Sequence, residues 1–235
     1  MTKGVIAGAA LLLVTAGLAP AQTTPQAGAG TETQPAAAAR PGAVAKPAPA
    51  PERLTPADAV PQLPPAAAAP GAPLFAGIRA GGMDWTLGES TLAEVARAFG
   101  GKLDQGGPEG APAAWLCFAG AAGGRPAIFW FIADGATDAQ PLTRIAVEPQ
   151  DERGAGTCPP APAALDGVEA GIPGPGARLA ELRASLGEAK PGPRGHVHYA
   201  VGVPDAAGGA KAQTAIYTGA GGRVVGLALG LSAAN

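Results

Sequence analysis

The chain has 235 residues, including 26 prolines and 37 glycines, and charged residues make up only 14% of it. Its formal net charge is −2, and from Leu74 onward twelve Lys and Arg stand against fifteen Asp and Glu, with no basic run. Binding to a phosphate backbone needs clustered positive charge, so this composition argues against a nucleic-acid partner.

Residues 1–21 have the pattern of a secretory signal. A basic residue, Lys3, precedes an apolar run, and Ala19 and Ala21 provide the small residues of a cleavage site before Gln22. The alternative is an uncleaved anchor, although Pro20 ends the run before the roughly 20 residues that a spanning helix needs. We therefore expect an exported protein, periplasmic, secreted or at the cell surface, with no membrane span after cleavage.

Residues 22–73 are rich in Ala, Pro and Gly, and twelve of the prolines lie between Ala21 and Leu74. Such a segment has too little bulky apolar surface to offset the entropy lost on ordering, so we predict a disordered linker. The folded domain is then 74–235, which is long enough for one sizeable core.

A helix-like segment occurs twice in this domain. Residues 91–100 read TLAEVARAFG and residues 178–187 read RLAELRASLG, each with an amphipathic stripe and a terminal glycine. Thr91 and Glu94 have the spacing of a capping box, whereas Arg178 replaces the capping threonine in the second copy. Both segments are predicted to be helices.

Three strand-like runs follow each predicted helix. They are AWLCFAG, AIFWFIAD and LTRIAVEP after the first, and HVHYAVGV, QTAIYTGA and RVVGLALGL after the second. Short, turn-rich connections favour antiparallel meanders with a helix on one face. The predicted fold class is α+β, a tandem repeat of a helix plus a three-stranded meander, with repeats at 83–150 and 167–235 joined by a linker at 151–166.

Cys117 and Cys158 are the only cysteines in the chain. Export would place both in an oxidising compartment, where a pair of cysteines forms a disulfide. A reactive thiol is the alternative, but there is no C-x-x-C motif and no charged near neighbour to lower a thiol pKa. The disulfide would pin the inter-repeat linker to a strand.

Over residues 83–235 the chain resembles the fold shared by the beta-lactamase inhibitory protein and the SmpA/OmlA outer-membrane assembly lipoproteins. The positions that carry the resemblance are all structural: Gly88, Leu92, Val95, Gly100, Leu179, Leu182 and Gly187. The chain departs from the lipoproteins because it lacks an acylated cysteine and has a long Pro/Ala spacer. The resemblance implies a protein that binds other proteins.

The run IFWFI, residues 128–132, is large and apolar on both alternating faces. If one face packs on the helices, the other is either covered by a neighbour, as in a doubly buried central strand, or open as an interface. We interpret the open face as a partner-binding surface made by Phe129, Trp130 and Phe131, flanked by Trp115 and Tyr217.

His196 and His198 in the run HVH would lie on the same face of a strand. Two imidazoles can share a metal ion, but such sites usually need a third ligand, and Asp205 is the only nearby acid after the strand. A solvated strand face is the simpler interpretation, so we predict no metal and no cofactor, and keep the two histidines as an alternative metal site.

No arrangement of nucleophile, base or paired acids in the chain indicates an active site. The predicted function is therefore that of an exported, non-enzymatic module that binds another envelope protein. The alternatives are a metal-binding or enzymatic protein that uses His196 and His198, and a structural subunit of an envelope assembly.

Overall fold

The computed structural model of the protein describes residues 54–61, 69–151, 156–205 and 208–233. These residues belong to a compact unit, Ala48–Asn235; the preceding unit, Met1–Pro47, lies outside them. The predicted signal, 1–21, and most of the predicted linker therefore also lie outside the described residues, and both remain predictions.

Antiparallel strands dominate the fold, and helices are few and short. The helices are α1 (Pro56–Ala59), α2 (Leu92–Phe99) and α3 (Leu179–Leu186), and a single 3-10 turn covers Pro193–Gly195. The strands are β1 (Ile78–Ala80), β2 (Met83–Trp85), β3 (Asp104–Gly106), β4 (Ala113–Ala122), β5 (Arg125–Asp134), β6 (Leu142–Pro149), β7 (Val168–Glu169), β8 (Lys190–Pro191), β9 (Val197–Pro204), β10 (Ala210–Ala220) and β11 (Arg223–Ala233).

Eight of the described strands form one sheet in the order β3-β4-β5-β6-β11-β10-β9-β8. Each meander is continuous, and the two meet where β6 pairs with β11, with Val147 opposite Leu227 and Ala146 opposite Ala228. The six predicted strands and both predicted helices are confirmed, and so is a mixed α+β class with the sheet predominant. The repeat relationship between the two halves remains a prediction.

Paired glycines turn the long hairpins. Gly123 and Gly124 join β4 to β5 with φ of 57° and 75°, and Gly221 and Gly222 join β10 to β11 with φ of 58° and 75°. Two consecutive residues at positive φ make the tight turn whose twist matches that of the flanking strands, and glycine adopts it without strain.

The ends of the helices are set by the residues that the sequence indicated. The backbone N–H of Thr91 donates to Glu94 Oε2 at 2.8 Å, and Glu94 N–H donates to Thr91 Oγ1 at 3.3 Å, which completes the capping box. At the second helix only half of this arrangement remains, since Glu181 accepts from the backbone N–H of Arg178 at 3.3 Å. Gly100 and Gly187 follow the two helices with φ of 73° and 80°.

The sequence did not predict a second, smaller sheet. In the described residues β2, β1 and β7 form three antiparallel strands, with Ile78 opposite Trp85 and Ala80 opposite Val168. These strands are only two or three residues long, too short for a strand pattern to stand out in a sequence. They pack with α2 against the same core.

Both faces of the eight-stranded sheet are buried. On the first face, α2 and α3 contribute Leu92, Val95 and Leu182 to a core with Phe129 and Phe131. On the opposite face, which we call the second face, a separate cluster surrounds Trp130 and includes Leu54 and Val60 from residues 54–61. Layers on two sides of one sheet therefore make the core.

The linker prediction is wrong for residues 54–61, which hold α1 and pack on the sheet. Leu54 and Val60 are 8% and 2% exposed, respectively. Two aliphatic residues in a Pro/Ala-rich stretch gave too weak a hydrophobic pattern, but they bury because the second face offers an apolar surface. Further along, Pro70 bridges to Gly202 of β9.

No helix in the described part of the chain is both long enough and apolar enough to span a bilayer.

The predicted disulfide is confirmed. Cys117 lies in β4, with its side chain on the second face of the sheet. Cys158 lies 41 residues further along, in the segment between β6 and β7. Backbone hydrogen bonds between Ala119 and Pro159, at 2.7 Å, and between Ala161 and Ala119, at 2.6 Å, hold the same segment beside β4. The bridge thus secures part of the second face's cover.

Replacing both cysteines by alanine should lower the free energy of unfolding by about 4 kcal/mol, because the cross-link restricts a 41-residue loop in the unfolded chain. Equilibrium urea unfolding of the oxidised protein and the Cys117→Ala/Cys158→Ala variant measures the difference. Reduced wild-type protein should match the variant, and equal stability of the oxidised protein and the variant would contradict the expectation.

Candidate functional site

The five aromatic residues predicted to bind a partner are all buried. Phe129, Trp130, Phe131 and Tyr217 are 0% exposed and Trp115 is 4% exposed. Phe129, Phe131 and Tyr217 lie in the core on the first face, and Trp115 and Trp130 lie on the second face. The expectation of an open aromatic face is therefore corrected: β5 is a central strand covered on both sides.

The cover over Trp130 is the segment of residues 54–61, which we call the cover segment. Thr55 begins its single helical turn, with the hydroxyl donating to Asp58 Oδ2 at 2.6 Å, and Pro56 takes the first helical position. Leu54 and Val60 point into the cluster on the second face, whereas Ala57 is exposed. Two anchors and one capped turn thus hold the cover segment to the sheet.

A cavity of about 190 Å³ lies between the cover segment and the sheet. Its walls combine apolar and charged side chains from five parts of the chain: Leu54, Asp58 and Ala59 of the cover segment, Ile128 and Trp130 of β5, Glu148, Pro149 and Asp151 at the end of β6, Arg194 and His196 before β9, and Thr218 of β10. This is the place on the second face where ionisable groups meet buried aromatic surface, and we take it as the candidate site.

Among the buried residues that the structure describes, Glu148 is the only one with a charged type of side chain, and it is 5% exposed. Strand alternation places it on the second face of β6, directly opposite Ile128 of β5. Gly226 of the neighbouring β11 leaves room for the carboxyl group, since a Cβ there would overlap Glu148 Oε2. A glycine at position 226 therefore leaves the space that the Glu148 carboxyl group occupies.

Thr218 links Glu148 to His196. Its Oγ1 lies 3.1 Å from Glu148 Oε2 and 3.1 Å from His196 Nδ1. A hydroxyl has one proton to donate, so Thr218 can donate to only one of its two neighbours at a time. The direction of the two hydrogen bonds therefore depends on the protonation states of Glu148 and His196.

Burial determines the protonation of these groups. It raises the pKa of Glu148 to about 8, and the hydrogen bond from Thr218 offsets only part of that effect. Burial, followed by the charge of Arg194, lowers the pKa of His196, while a backbone hydrogen bond with Tyr217 opposes the shift. At neutral pH the Glu148 carboxyl group is mostly protonated and the His196 imidazole is mostly neutral. These three hydrogen-bonded groups together therefore carry little net charge.

Two buried polar atoms at this site have no hydrogen-bond partner among the described residues: Glu148 Oε1 and Trp130 Nε1. Unpaired buried polar atoms cost about 1–3 kcal/mol each, so they are uncommon in folded proteins. Both atoms belong to residues that line the cavity.

The alternative metal site is not assembled in the described structure. His196 and His198 lie along the same face, His196 next to Thr218 and His198 opposite Ile216. Asp205 lies beyond the other end of β9, where Lys211 Nζ is 3.1 Å from its Oδ1. Within the described residues no three His, Cys, Asp or Glu side chains gather closely enough to hold one metal ion.

Comparison of the chain with protein-family models, with curated proteins and with solved structures found no match. The resemblance to the inhibitory protein and the assembly lipoproteins accordingly remains a prediction.

Sequence reasoning missed Glu148 and Thr218. A signal for Glu148 was present, because alternation along LTRIAVEP places the acid on the face opposite Ile145 and Val147, and the preceding strand contains the apolar run AIFWFIA. Its pairing with Ile128 and its contact with Thr218 depend on strand register, which the alternation does not fix.

Glu148→Gln should remove a pH-dependent loss of stability. A carboxyl pKa raised from 4.5 to about 8 by folding disfavours the folded state as pH rises from about 4.5, and the effect levels off above about 8. The advantage of the glutamine variant should grow by roughly 3.5 kcal/mol between pH 5 and pH 8. Urea unfolding at several pH values measures it; Glu169→Gln, at an exposed position, is the control.

Gly226→Ala should destabilise the protein because its methyl group would occupy the space of the Glu148 carboxyl group. Adding Glu148→Ala should recover part of the loss, with a coupling of about 1–2 kcal/mol in a double-mutant cycle, as for residues in direct contact. Thermal or urea unfolding of the four proteins gives the coupling energy. Strictly additive effects would contradict the expectation that the two side chains compete for the same space.

Proposed function

We propose that the protein is an exported, non-enzymatic binding module of the cell envelope that engages a partner protein through the second face of its sheet. In this proposal the two halves are tandem helix-plus-three-strand repeats that together make one broad platform. The observation that carries it is the Trp130 cluster: an apolar surface on the second face that, among the described residues, a short segment and the disulfide-linked segment cover.

The cover segment is the part of this layer suited to displacement. Burying an aliphatic side chain such as Leu54 or Val60 contributes about 1.5–3 kcal/mol, whereas fixing each backbone residue costs about 1–2 kcal/mol. A partner that presents more apolar surface than these two side chains would replace the segment. Trp130 and Trp115 would then be contact residues, as the sequence indicated, whereas Phe129, Phe131 and Tyr217 would stay in the core on the first face.

Export is supported by the signal-like pattern of residues 1–21 together with the disulfide between Cys117 and Cys158. Disulfides persist in oxidising compartments, where envelope and secreted proteins reside. The partner is accordingly another protein of the envelope or of the extracellular space.

Leu54→Asp combined with Val60→Asp should release the cover segment, because each change places a carboxylate against the apolar cluster. Tryptophan emission should move to longer wavelength as Trp130 meets water, and cross-linking to a partner in envelope extract should increase several-fold. Ala57→Asp adds a carboxylate at an exposed position of the same turn and should leave both readouts unchanged.

The position of contact is tested with a photo-reactive residue at Ala113, which packs at the edge of the second-face cluster, or at Met83, which is 44% exposed on β2. The released variant should cross-link its partner from position 113 and not from position 83. Equal cross-linking from both positions, or no gain on release of the cover segment, would contradict the proposed function.

A further inference from the structure

Another cavity, of about 230 Å³, lies at the end of the large sheet that holds the two paired-glycine turns, and it shares no lining residue with the candidate site. Its walls come from the β4–β5 hairpin, the start of β11 and the segment before α3: Ala122, Gly123, Arg125, Gly176, Arg223, Val224 and Val225. The lining contains two arginines and no acidic residue. The cavity therefore has two guanidinium groups in its walls and no carboxylate to neutralise them.

Backbone contacts hold the walls of this cavity together. A Cβ on Gly123 would come within 2.8 Å of the backbone nitrogen of Gly176 and within 2.9 Å of the carbonyl oxygen of Pro175, so glycine lets the hairpin turn lie directly against the segment before α3. The same segment is joined to β11, because Gly176 N–H donates to the carbonyl oxygen of Val224 and Val224 N–H donates to that of Ala177, both at 2.9 Å. The segment before α3 is thus fixed to both hairpins.

Arg223 is oriented at this cavity by a hydrogen bond. Its Nη1 donates to the carbonyl oxygen of Gly176 at 2.7 Å. A guanidinium group has five N–H donors in a planar fork, so this bond positions the group and leaves most of its donors for another acceptor. Arg125 forms no ion pair and no side-chain hydrogen bond with the described residues. Both arginines therefore have donors that an anion in the cavity can use.

Arg178 adds a third positive charge beside Arg223. The two residues form an antiparallel bridge, and the hydrogen bonds from Leu179 N–H to Gly222 and from Val224 N–H to Ala177 lie on either side of it. This is the non-hydrogen-bonded pairing, in which facing Cα atoms are about 4.5 Å apart and the side chains lie closest. Like charges directly opposite one another destabilise a sheet. The arrangement is therefore unfavourable unless an anion is present.

The acids of the neighbouring elements do not neutralise the three arginines. Glu181 Oε2 accepts from the backbone N–H of Arg178 at 3.3 Å, but the described residues include no ion pair between the Glu181 carboxylate and the Arg178 guanidinium group. Glu169 lines an adjoining cavity that shares Gly123 with this one. Positive charge is thus in excess at this end of the sheet.

The arrangement suits a phosphate group better than a carboxylate. A guanidinium group binds either anion through two parallel hydrogen bonds. One arginine therefore takes both oxygens of a carboxylate, whereas a phosphate group has three strong acceptor oxygens and can pair with two arginines at once. The volume of about 230 Å³ corresponds to about seven water-sized groups at roughly 30 Å³ each, which is enough for a phosphate group and several waters.

We propose that Arg125 and Arg223 bind a phosphate group in this cavity, with Arg178 adding to the attraction. The site is separate from the proposed partner-binding face, because none of its lining residues belongs to the second-face cluster. A free phosphate ion and the headgroup of a phosphate-bearing lipid present the same chemistry, and the test distinguishes these two sources. No basic run marks the site in the sequence, since the three arginines are brought together only by the pairing of the strands.

The first test titrates inorganic phosphate into the full-length, oxidised protein at pH 7 in a dilute buffer without phosphate, and follows binding by isothermal titration calorimetry. We expect saturable binding of one phosphate per chain. Acetate, which supplies a carboxylate instead, should bind at least tenfold more weakly. Acetate binding as tight as that of phosphate would overturn the proposal.

Arginine variants show whether this cavity is the site. Arg125→Gln and Arg223→Gln should each weaken binding about tenfold or more, because each removes a pair of charge-assisted hydrogen bonds. Arg178→Gln should weaken it about two- to threefold, because it removes attraction without a required contact. Arg97→Gln, which removes the same charge from an exposed position of α2, is the matched control and should have no effect. Equal weakening in the control and in Arg125→Gln would overturn the proposal.

The source of the phosphate group is tested with vesicles. Phosphatidylcholine vesicles that contain phosphatidic acid are compared, by co-sedimentation, with vesicles in which oleic acid supplies the same negative charge. Binding to the first kind that inorganic phosphate displaces and that Arg125→Gln and Arg223→Gln abolish would assign the site to a lipid headgroup; phosphate binding without it would assign the site to the free ion. If neither phosphate nor these vesicles bound in a way that depends on the two arginines, the proposal would be wrong.

Thermal unfolding gives a second, independent measurement. A ligand that binds the folded state raises the melting temperature. Phosphate should therefore raise it for the unchanged protein and for Arg97→Gln, relative to sodium chloride at the same ionic strength, and should not raise it for the Arg125→Gln/Arg223→Gln double variant. An increase of the same size in the double variant would contradict the assignment of the site.

Discussion

The middle of the sheet is apolar on both of its faces, and this constraint shapes the layers around it. Phe129 and Phe131 point one way along β5, and Ile128, Trp130 and Ile132 point the other way. Water cannot solvate either row without a large loss of hydrophobic free energy, so each row needs a cover. Helices α2 and α3 cover the first face, and short segments of irregular chain cover the second.

This asymmetry of cover has a physical consequence for function. The helical layer belongs to the same core as the small sheet of β1, β2 and β7, so removing it would dismantle the domain. The layer over Trp130 is made of a capped turn and a segment that the disulfide fixes to β4, so in the proposed function only the turn is displaced. The two faces of the sheet are thus covered by layers of different construction.

Much of the fold could be predicted from the sequence because its signals are local. The stripe of Leu92 and Val95, the capping pair of Thr91 and Glu94, and the paired glycines of the hairpins each operate within a few residues. The candidate site could not be predicted in the same way. Glu148, Thr218 and Gly226 come from three strands, and only the register between those strands brings them together.

The cover segment shows the limit of composition as a guide. Proline and alanine around Leu54 and Val60 predict a chain with nothing to bury, and that prediction holds only while the chain is considered alone. The apolar surface that receives these two side chains is made more than fifty residues later, by β4, β5 and β6. Order in such a segment is a property of its docking site.

The outermost strands of the described eight-stranded sheet are its shortest. Strand β3 has three residues, and β8 has two, one of them Pro191, which lacks a backbone N–H. Beyond these short strands, Pro159 and Ala161 hydrogen-bond to Ala119 of β4, and Pro70 bridges to Gly202 of β9, so further chain lies along parts of both borders and reduces the ladder that an incoming chain could extend. A sheet with such borders can be apolar on both faces and still offer few edge positions at which copies of the chain could pair.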